Sequence, residues 1–85
     1  MEYPIIVFMD DENTCRVLVP DFKNLTFMCS GLEEAFEKAK QEIENKIRNL
    51  NAQGKNIPPA STREQYVTRY LDAILVNQVT VDVMT

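Results

Sequence analysis

The run Tyr3-Pro4-Ile5-Ile6-Val7-Phe8-Met9, the polar step Asp10-Asp11-Glu12-Asn13 and the run Thr14-Cys15-Arg16-Val17-Leu18-Val19 read together as a hairpin, and they decide the fold. Ile5 to Phe8 are β-branched or aromatic and apolar at both parities, the composition of a strand. Asp10 to Asn13 supply turn chemistry. Cys15, Val17 and Val19 alternate with Thr14 and Arg16, and only Leu18 breaks the period of two. Pro20-Asp21 stops the second strand, because proline cannot donate to a ladder. A short third strand follows over Leu25 to Cys29. Pairing the second and third strands symmetrically about Phe22 sets Val19 opposite Leu25, Val17 opposite Phe27 and Cys15 opposite Cys29. Closing the first turn with Met9 opposite Thr14 sets Phe8 opposite Cys15 and Ile6 opposite Val17.

Outward from the strands, the stripe Leu32, Ala35, Phe36, Ala39, Ile43, Ile47, Leu50 has the period of a long amphipathic helix. Ser30 stands three residues before Glu33, the spacing of a capping box. Glu33, Glu34 and Glu37 lie near the helix start and Lys46 and Arg48 near its end, as the helix dipole prefers. Gly54 is the expected stop. Lys55 to Ala60 reads as a loop. Ser61 and Glu64 repeat the capping-box spacing ahead of a short helix with Tyr66, Val67, Tyr70 and Leu71 on one side. Ile74 to Met84 reads as a last strand, with Val79, Val81 and Val83 alternating. The order is βββααβ, an α+β or α/β domain, of which α+β is the expected class, occupying residues 1–85 as a single unit.

Composition bounds the function. The 85 residues carry nine basic and thirteen acidic side chains, a net charge of −4, and neither His nor Trp. No basic field is present to hold a phosphate backbone, so no direct nucleic-acid binding is expected of this chain. An acidic surface suits a basic protein partner. The missing His removes the commonest general base and metal ligand. No apolar run approaches the roughly 20 residues that span a bilayer. The Met1-Glu2-Tyr3 start has no basic n-region, and two cysteines are too few for a disulfide scaffold. A cytoplasmic protein with reduced thiols is expected.

Five features in order resemble the HicB-type antitoxin domain. They are Tyr3-Pro4-Ile5-Ile6, the acidic turn Asp10-Asp11, the step Pro20-Asp21-Phe22, the helix start Ser30, Leu32, Glu33, Glu34, Ala35, and the segment Gly54, Ile57, Pro58, Ser61. The chain departs from the pattern at Glu12-Asn13 and Cys29, where glycine is usual. It also ends at Thr85, without the helix-turn-helix or ribbon-helix-helix module of many bacterial members. The resemblance implies a partial RNase H-like fold: a small mixed four-stranded sheet, its antiparallel meander joined by a last strand parallel to the first, with the long helix on one face. It also implies a non-catalytic role, masking a small basic messenger-RNA ribonuclease toxin of HicA type. A domain of the same fold that is an orphan oligomer, structural or regulatory and without a toxin, is the alternative.

Candidate chemistry is sparse. Asp10, Asp11 and Glu12 are consecutive in one turn, so they do not form the convergent cage that two-metal catalysis requires. A solvated turn is the expected reading of them, and contact with a basic partner is their use if they have one. Cys15 and Cys29 have no His to activate them. Ser30 and Ser61 are accounted for as helix caps. Tyr66 and Tyr70 either pack on the domain or meet a partner. No catalytic residue, metal ligand or cofactor site is assigned. In the register above, the sheet face away from the long helix carries Ile5, Val7, Met9, Leu18 and Met28 with Arg16, Thr14 and Thr26. Such a face is too apolar to be solvated. Together with Asp10, Asp11 and Glu12 it is the expected interface for a partner or for a homo-oligomer (dimer or tetramer), with the last strand as a second docking edge.

Overall fold

A computed structural model describes residues 1–23 and 25–81. Strands β1 (Glu2–Asp11), β2 (Thr14–Val19) and β3 (Leu25–Cys29) form the meander, with a 3-10 turn at Pro20–Phe22 between the last two. Helix α1 (Leu32–Ala52), the single-turn helix α2 (Glu64–Val67) and strand β4 (Leu75–Thr80) follow. The sheet order is β3-β2-β1-β4, so β1 is central and β4 lies beside it.

The expected pairing of β2 with β3 is present: Cys15 opposes Cys29, Val17 opposes Phe27 and Val19 opposes Leu25. The β1–β2 register is not the expected one. Val7 opposes Val17, Phe8 opposes Arg16 and Met9 opposes Cys15, whereas Asp11 opposes Thr14. The reason lies in the turn. β1 runs on to Asp11, the connection is only Glu12-Asn13, and a bulge between Met9 and Asp11 takes up the extra residue. A slip of one residue exchanges the faces of a whole strand. Val7 and Met9 therefore share the α1 face with Val17 and Cys15, and Ile6 and Phe8 share the other face with Leu18 and Arg16. Ile5 and Val7 pack in the α1 core rather than on the second face.

A second correction concerns β4, which is antiparallel to β1: Glu2 opposes Thr80 and Val7 opposes Leu75. The sheet is antiparallel throughout, not mixed. α1 carries the chain back to the pole where β1 begins, and a strand starting there would have run parallel. Instead, the segment from Ser61 climbs the second face, where Tyr66 packs with Ile6 and Phe8, and the Ile74 N–H reaches the Val7 carbonyl at 2.9 Å. The chain thus enters β4 at the pole where β1 is leaving. At the other pole, Met1 and Val81 close the pair, with the Val81 N–H donating to the Met1 carbonyl at 2.8 Å and the Met1 ammonium to the Val81 carbonyl at 3.2 Å. The strand expected to run to Met84 is described as far as Thr80; Val83 and Met84 lie outside the described residues.

The main core lies between the sheet and α1. Ala35, Ala39, Ile43 and Ile47 are its buried stripe, meeting Tyr3, Ile5, Val7, Val17, Val19 and Val79. Alanine at the first two positions lets the helix start lie close to the strands. The second, smaller core is Ile6, Phe8 and Tyr66, flanked by Leu18, Tyr70, Ala73 and Val76. Tyr66 and Tyr70 therefore pack on the domain, whereas Val67 and Leu71, expected on the same side, are exposed.

Both expected serine caps give way to other arrangements. The N-cap of α1 is Gly31, in extended backbone with no side-chain cap bond, and Ser30 is exposed outside it. The N-cap of α2 is Arg63. Ser61 instead turns to Asp21, donating its N–H at 2.8 Å and its hydroxyl at 2.6 Å to the two carboxylate oxygens. The C-terminus of α1 behaves as read. Gly54 adopts φ +69°, its N–H meets the Asn51 carbonyl, and the Lys55 N–H meets the Leu50 carbonyl, a Schellman closure.

Two substitutions separate these readings. Ile43→Ala, at a fully buried position, is expected to cost about 2–5 kcal/mol in urea unfolding. Ser30→Ala is expected to stay within about 0.5 kcal/mol, because no cap bond is lost; a loss above 1 kcal/mol, on the scale of a true cap, would restore the capping-box reading.

Candidate functional site

The short α2 segment covers only half of the second sheet face. It lies over Ile6, Phe8 and Val76, on β1 and β4. Leu18 of β2 reaches the edge of this cluster, and beyond it the β2–β3 half is uncovered among the described residues, bringing together Arg16, Leu18 and Met28. Arg16 is directly opposite Met28, and Leu18 is opposite Thr26. Arg16 is exposed, Leu18 half-buried and Met28 44% exposed, so a thioether and an isobutyl group flank a cation at the surface. The guanidinium is held from two sides. Its Cζ lies 4.7 Å from the centroid of the Phe8 ring, and its Nε lies 3.6 Å from Asp10 Oδ1.

That ion pair ties the open half-face to the acidic turn. Asp10, Asp11 and Glu12 are all exposed at its tip. Asp11 Oδ1 accepts the Asn13 N–H at 2.8 Å. That bond, with further hydrogen bonding from Thr14, holds the Asp11 carboxyl below the usual aspartate range. Of the residues expected to form one interface, Arg16, Leu18, Met28, Asp10, Asp11 and Glu12 share this region. Ile5 and Val7 are buried beneath α1. Met9, although half-exposed, lies on the α1 side, where its sulfur is 3.5 Å from Cys15 Sγ.

Cys15 and Cys29 are buried, unlinked thiols facing each other across β2 and β3. The Cys29 Sγ approaches the Cys15 carbonyl at 3.6 Å. Burial pushes the Cys29 thiol up from its ordinary value, and the neighbouring Cys15 adds to the shift. A protonated, covered thiol is a poor nucleophile. Among the described residues no group of three or more His, Cys, Asp or Glu is placed to hold a metal ion. No helix among them is long and apolar enough to cross a membrane.

Two contacts were not legible as such in the sequence. The first is the junction at Asp21. Beyond its two bonds from Ser61, its Oδ1 lies 3.5 Å from the Tyr66 hydroxyl. This fixes the 3-10 turn to the segment that crosses to the second face. Tyr3 lies beside it, donating its hydroxyl to the Pro58 carbonyl at 2.8 Å and meeting the Phe22 ring edge-on at 4.8 Å. The Tyr3 phenol is pushed up by burial and by the charge of Asp21. The second is a plug at each sheet edge. Lys38 of α1 donates its Nζ to the Met28 carbonyl at 2.9 Å on β3, and Asn77 Oδ1 accepts the Gln78 N–H at 2.8 Å on β4. Each bond occupies a backbone group that an added strand would use.

The N-terminal domain of the Burkholderia pseudomallei antitoxin HicB superposes at a TM-score of 0.84, with 28% identity over 96% of this chain and 99% of that one. The domain is HicB-like. The longer B. pseudomallei HicB structure superposes at 0.85 with the same identity, and this chain spans 64% of its length. Two toxin–antitoxin complexes share the fold at a TM-score of 0.77: HicA3–HicB3 at 21% identity and a Streptococcus pneumoniae complex at 20%. No protein-family model and no curated protein matches the sequence. The four-stranded sheet with one long helix is the architecture shared with these HicB-like neighbours.

Two measurements check this description. Both thiols should react slowly with a disulfide reagent in the native protein and quickly in denaturant; rapid native labelling of Cys29 would contradict its burial. The Asp11 carboxyl, followed by NMR, should titrate below the usual aspartate value. Because its folded-state value is depressed, its contribution to stability is complete above the unfolded-state value and is lost as pH falls through the folded one. In Asn13→Pro, which lacks the N–H, the titration should move back up.

Proposed function

We propose that this HicB-like domain is an antitoxin module that binds and masks a small basic messenger-RNA ribonuclease of HicA type. The observation that carries the reading is the match, over 96% of the chain at 28% identity, to the N-terminal domain of an antitoxin. The charge agrees with it: a domain of net charge −4 suits a basic partner through complementarity and steering. The role is binding, not catalysis.

The docking surface is the open β2–β3 half-face with the acidic turn beside it. Leu18 and Met28 offer apolar area, and Met is adaptable at such contacts. Asp10, Asp11 and Glu12 offer charge to cationic groups on the toxin. The edge plugs make face docking a better mode than strand addition. A second copy of the chain on the same half-face, giving a homo-oligomer, is the competing occupant.

The test is co-expression with the product of the neighbouring gene, followed by co-purification and an RNA-cleavage assay. The expected result is a stable complex in which cleavage is suppressed. Met28→Lys, and separately Glu12→Lys, should each weaken the complex by roughly tenfold or more while leaving the unfolding midpoint nearly unchanged. If neither substitution alters binding, the half-face is not the interface. If no neighbouring protein binds, and light scattering shows an oligomer that Met28→Lys dissociates, the orphan-oligomer reading replaces this one.

A further inference from the structure

At the pole opposite the acidic turn, the 3-10 turn, the start of β3, the later part of α1 and the loop after it line a half-open cavity of about 450 Å³. Its floor is apolar: Phe22 is buried, and Leu25 and Leu50 are half-buried. Its rim carries Lys23, Lys46 and Lys55. The chain has only five lysines, so three of them meet at one cavity of a net acidic protein. Among the described residues no carboxylate lines it. Among the described residues none of the three lysines forms an ion pair.

The ordinary reason for cations near a helix C-terminus is the macrodipole. It accounts for Lys55 at most, and for neither Lys46 nor Lys23. The last turn of α1 contains no basic residue, so Lys46 lies upstream of it. The terminal carbonyls of Asn51 and Leu50 are already taken by the Gly54 and Lys55 N–H groups. Lys23 holds φ +56°, in the left-handed region that favours Gly or Asn, and its long cationic side chain stands at the rim nonetheless.

We infer that this cavity binds a small anionic amphiphile, a medium-chain carboxylate whose tail lies on the Phe22–Leu25–Leu50 floor and whose head meets the lysines. The volume falls in the roughly 300–1,000 Å³ range of small-molecule sites, which pair an apolar lining with a few placed charges. Lysine presents a compact mobile charge, suited to a single carboxylate without demanding a planar fork. The basic toxin proposed above would be repelled here, so the two sites address different ligands.

The experiment uses the full chain and anilinonaphthalene sulfonate, an anionic aromatic probe, with decanoate as competitor. Saturable fluorescence should appear on the folded protein and be displaced by decanoate but not by equal decanol, which has the tail without the charge, nor by acetate, which has the charge without the tail. In the double variant Lys46→Gln, Lys55→Gln the decanoate concentration for half-displacement should rise roughly tenfold, since each charge-assisted contact is lost. Lys40→Gln, elsewhere on the same helix, should leave it unchanged. The proposal is overturned if the probe does not saturate, if decanol competes as well as decanoate, or if Lys40→Gln weakens binding equally. The decanoate–decanol comparison needs no variant, so it decides the matter even if the double variant does not fold.

Discussion

The structure depends on β1 being buried on both faces. Tyr3, Ile5, Ile6 and Val7 are all fully covered, and Phe8 nearly so. Alternate side chains of one strand point opposite ways, so the six consecutive buried positions from Tyr3 to Phe8 demand a cover above and a cover below. One long helix serves a single face. The chain meets the second demand with the segment from Ser61 to Ala73, which contributes two tyrosines and one turn of helix. The topology follows from that. A chain that must cross to the second face and climb it arrives at the far end of β1, and the returning strand is then antiparallel.

The same constraint explains what could be read in advance. The elements, their order and the β2–β3 register follow from local patterns: alternation around Cys15, Val17 and Val19, the break at Pro20, and the stripe of α1. Because the β1 run is apolar at both parities, its pattern is indifferent to a slip of one residue. The bulge between Met9 and Asp11 therefore decided which of Ile5 and Ile6 meets α1, and nothing in the sequence marked it. The direction of β4 was hidden for a related reason, since the path of residues 61–74 rests on a tertiary bond. Ser61 has the spacing of a cap, and the carboxylate of Asp21, 40 residues earlier, takes its hydrogen bonds instead. Half of the candidate interface was legible. Arg16, Leu18 and Met28 belong to the correctly registered pair, whereas Ile5, Val7 and Met9 were placed through the slipped one.

The domain is also polarised end to end. The acidic turn and the exposed start of α1 with Glu33 and Glu34 occupy one pole, and the cavity with its three lysines occupies the other. β1 connects them as a strand of ten residues buried along most of its length, stiffly coupled to both cores. At the lysine pole Tyr3 of β1 backs the cavity wall through Phe22 and Pro58, and at the other pole β1 ends in the acidic turn.

The clamp between Met1 and Val81 has a mechanical meaning. β1 and β4 are antiparallel neighbours whose outer ends lie at the same pole. A force that draws the chain ends apart loads their ladder one rung at a time, as in unzipping, rather than all rungs together, as in shear. A pull at those ends thus begins by peeling β4 from β1. That loss would uncover the β1 edge, from the Glu2–Thr80 rung toward the Val7–Leu75 rung, while α1 still lies on the meander.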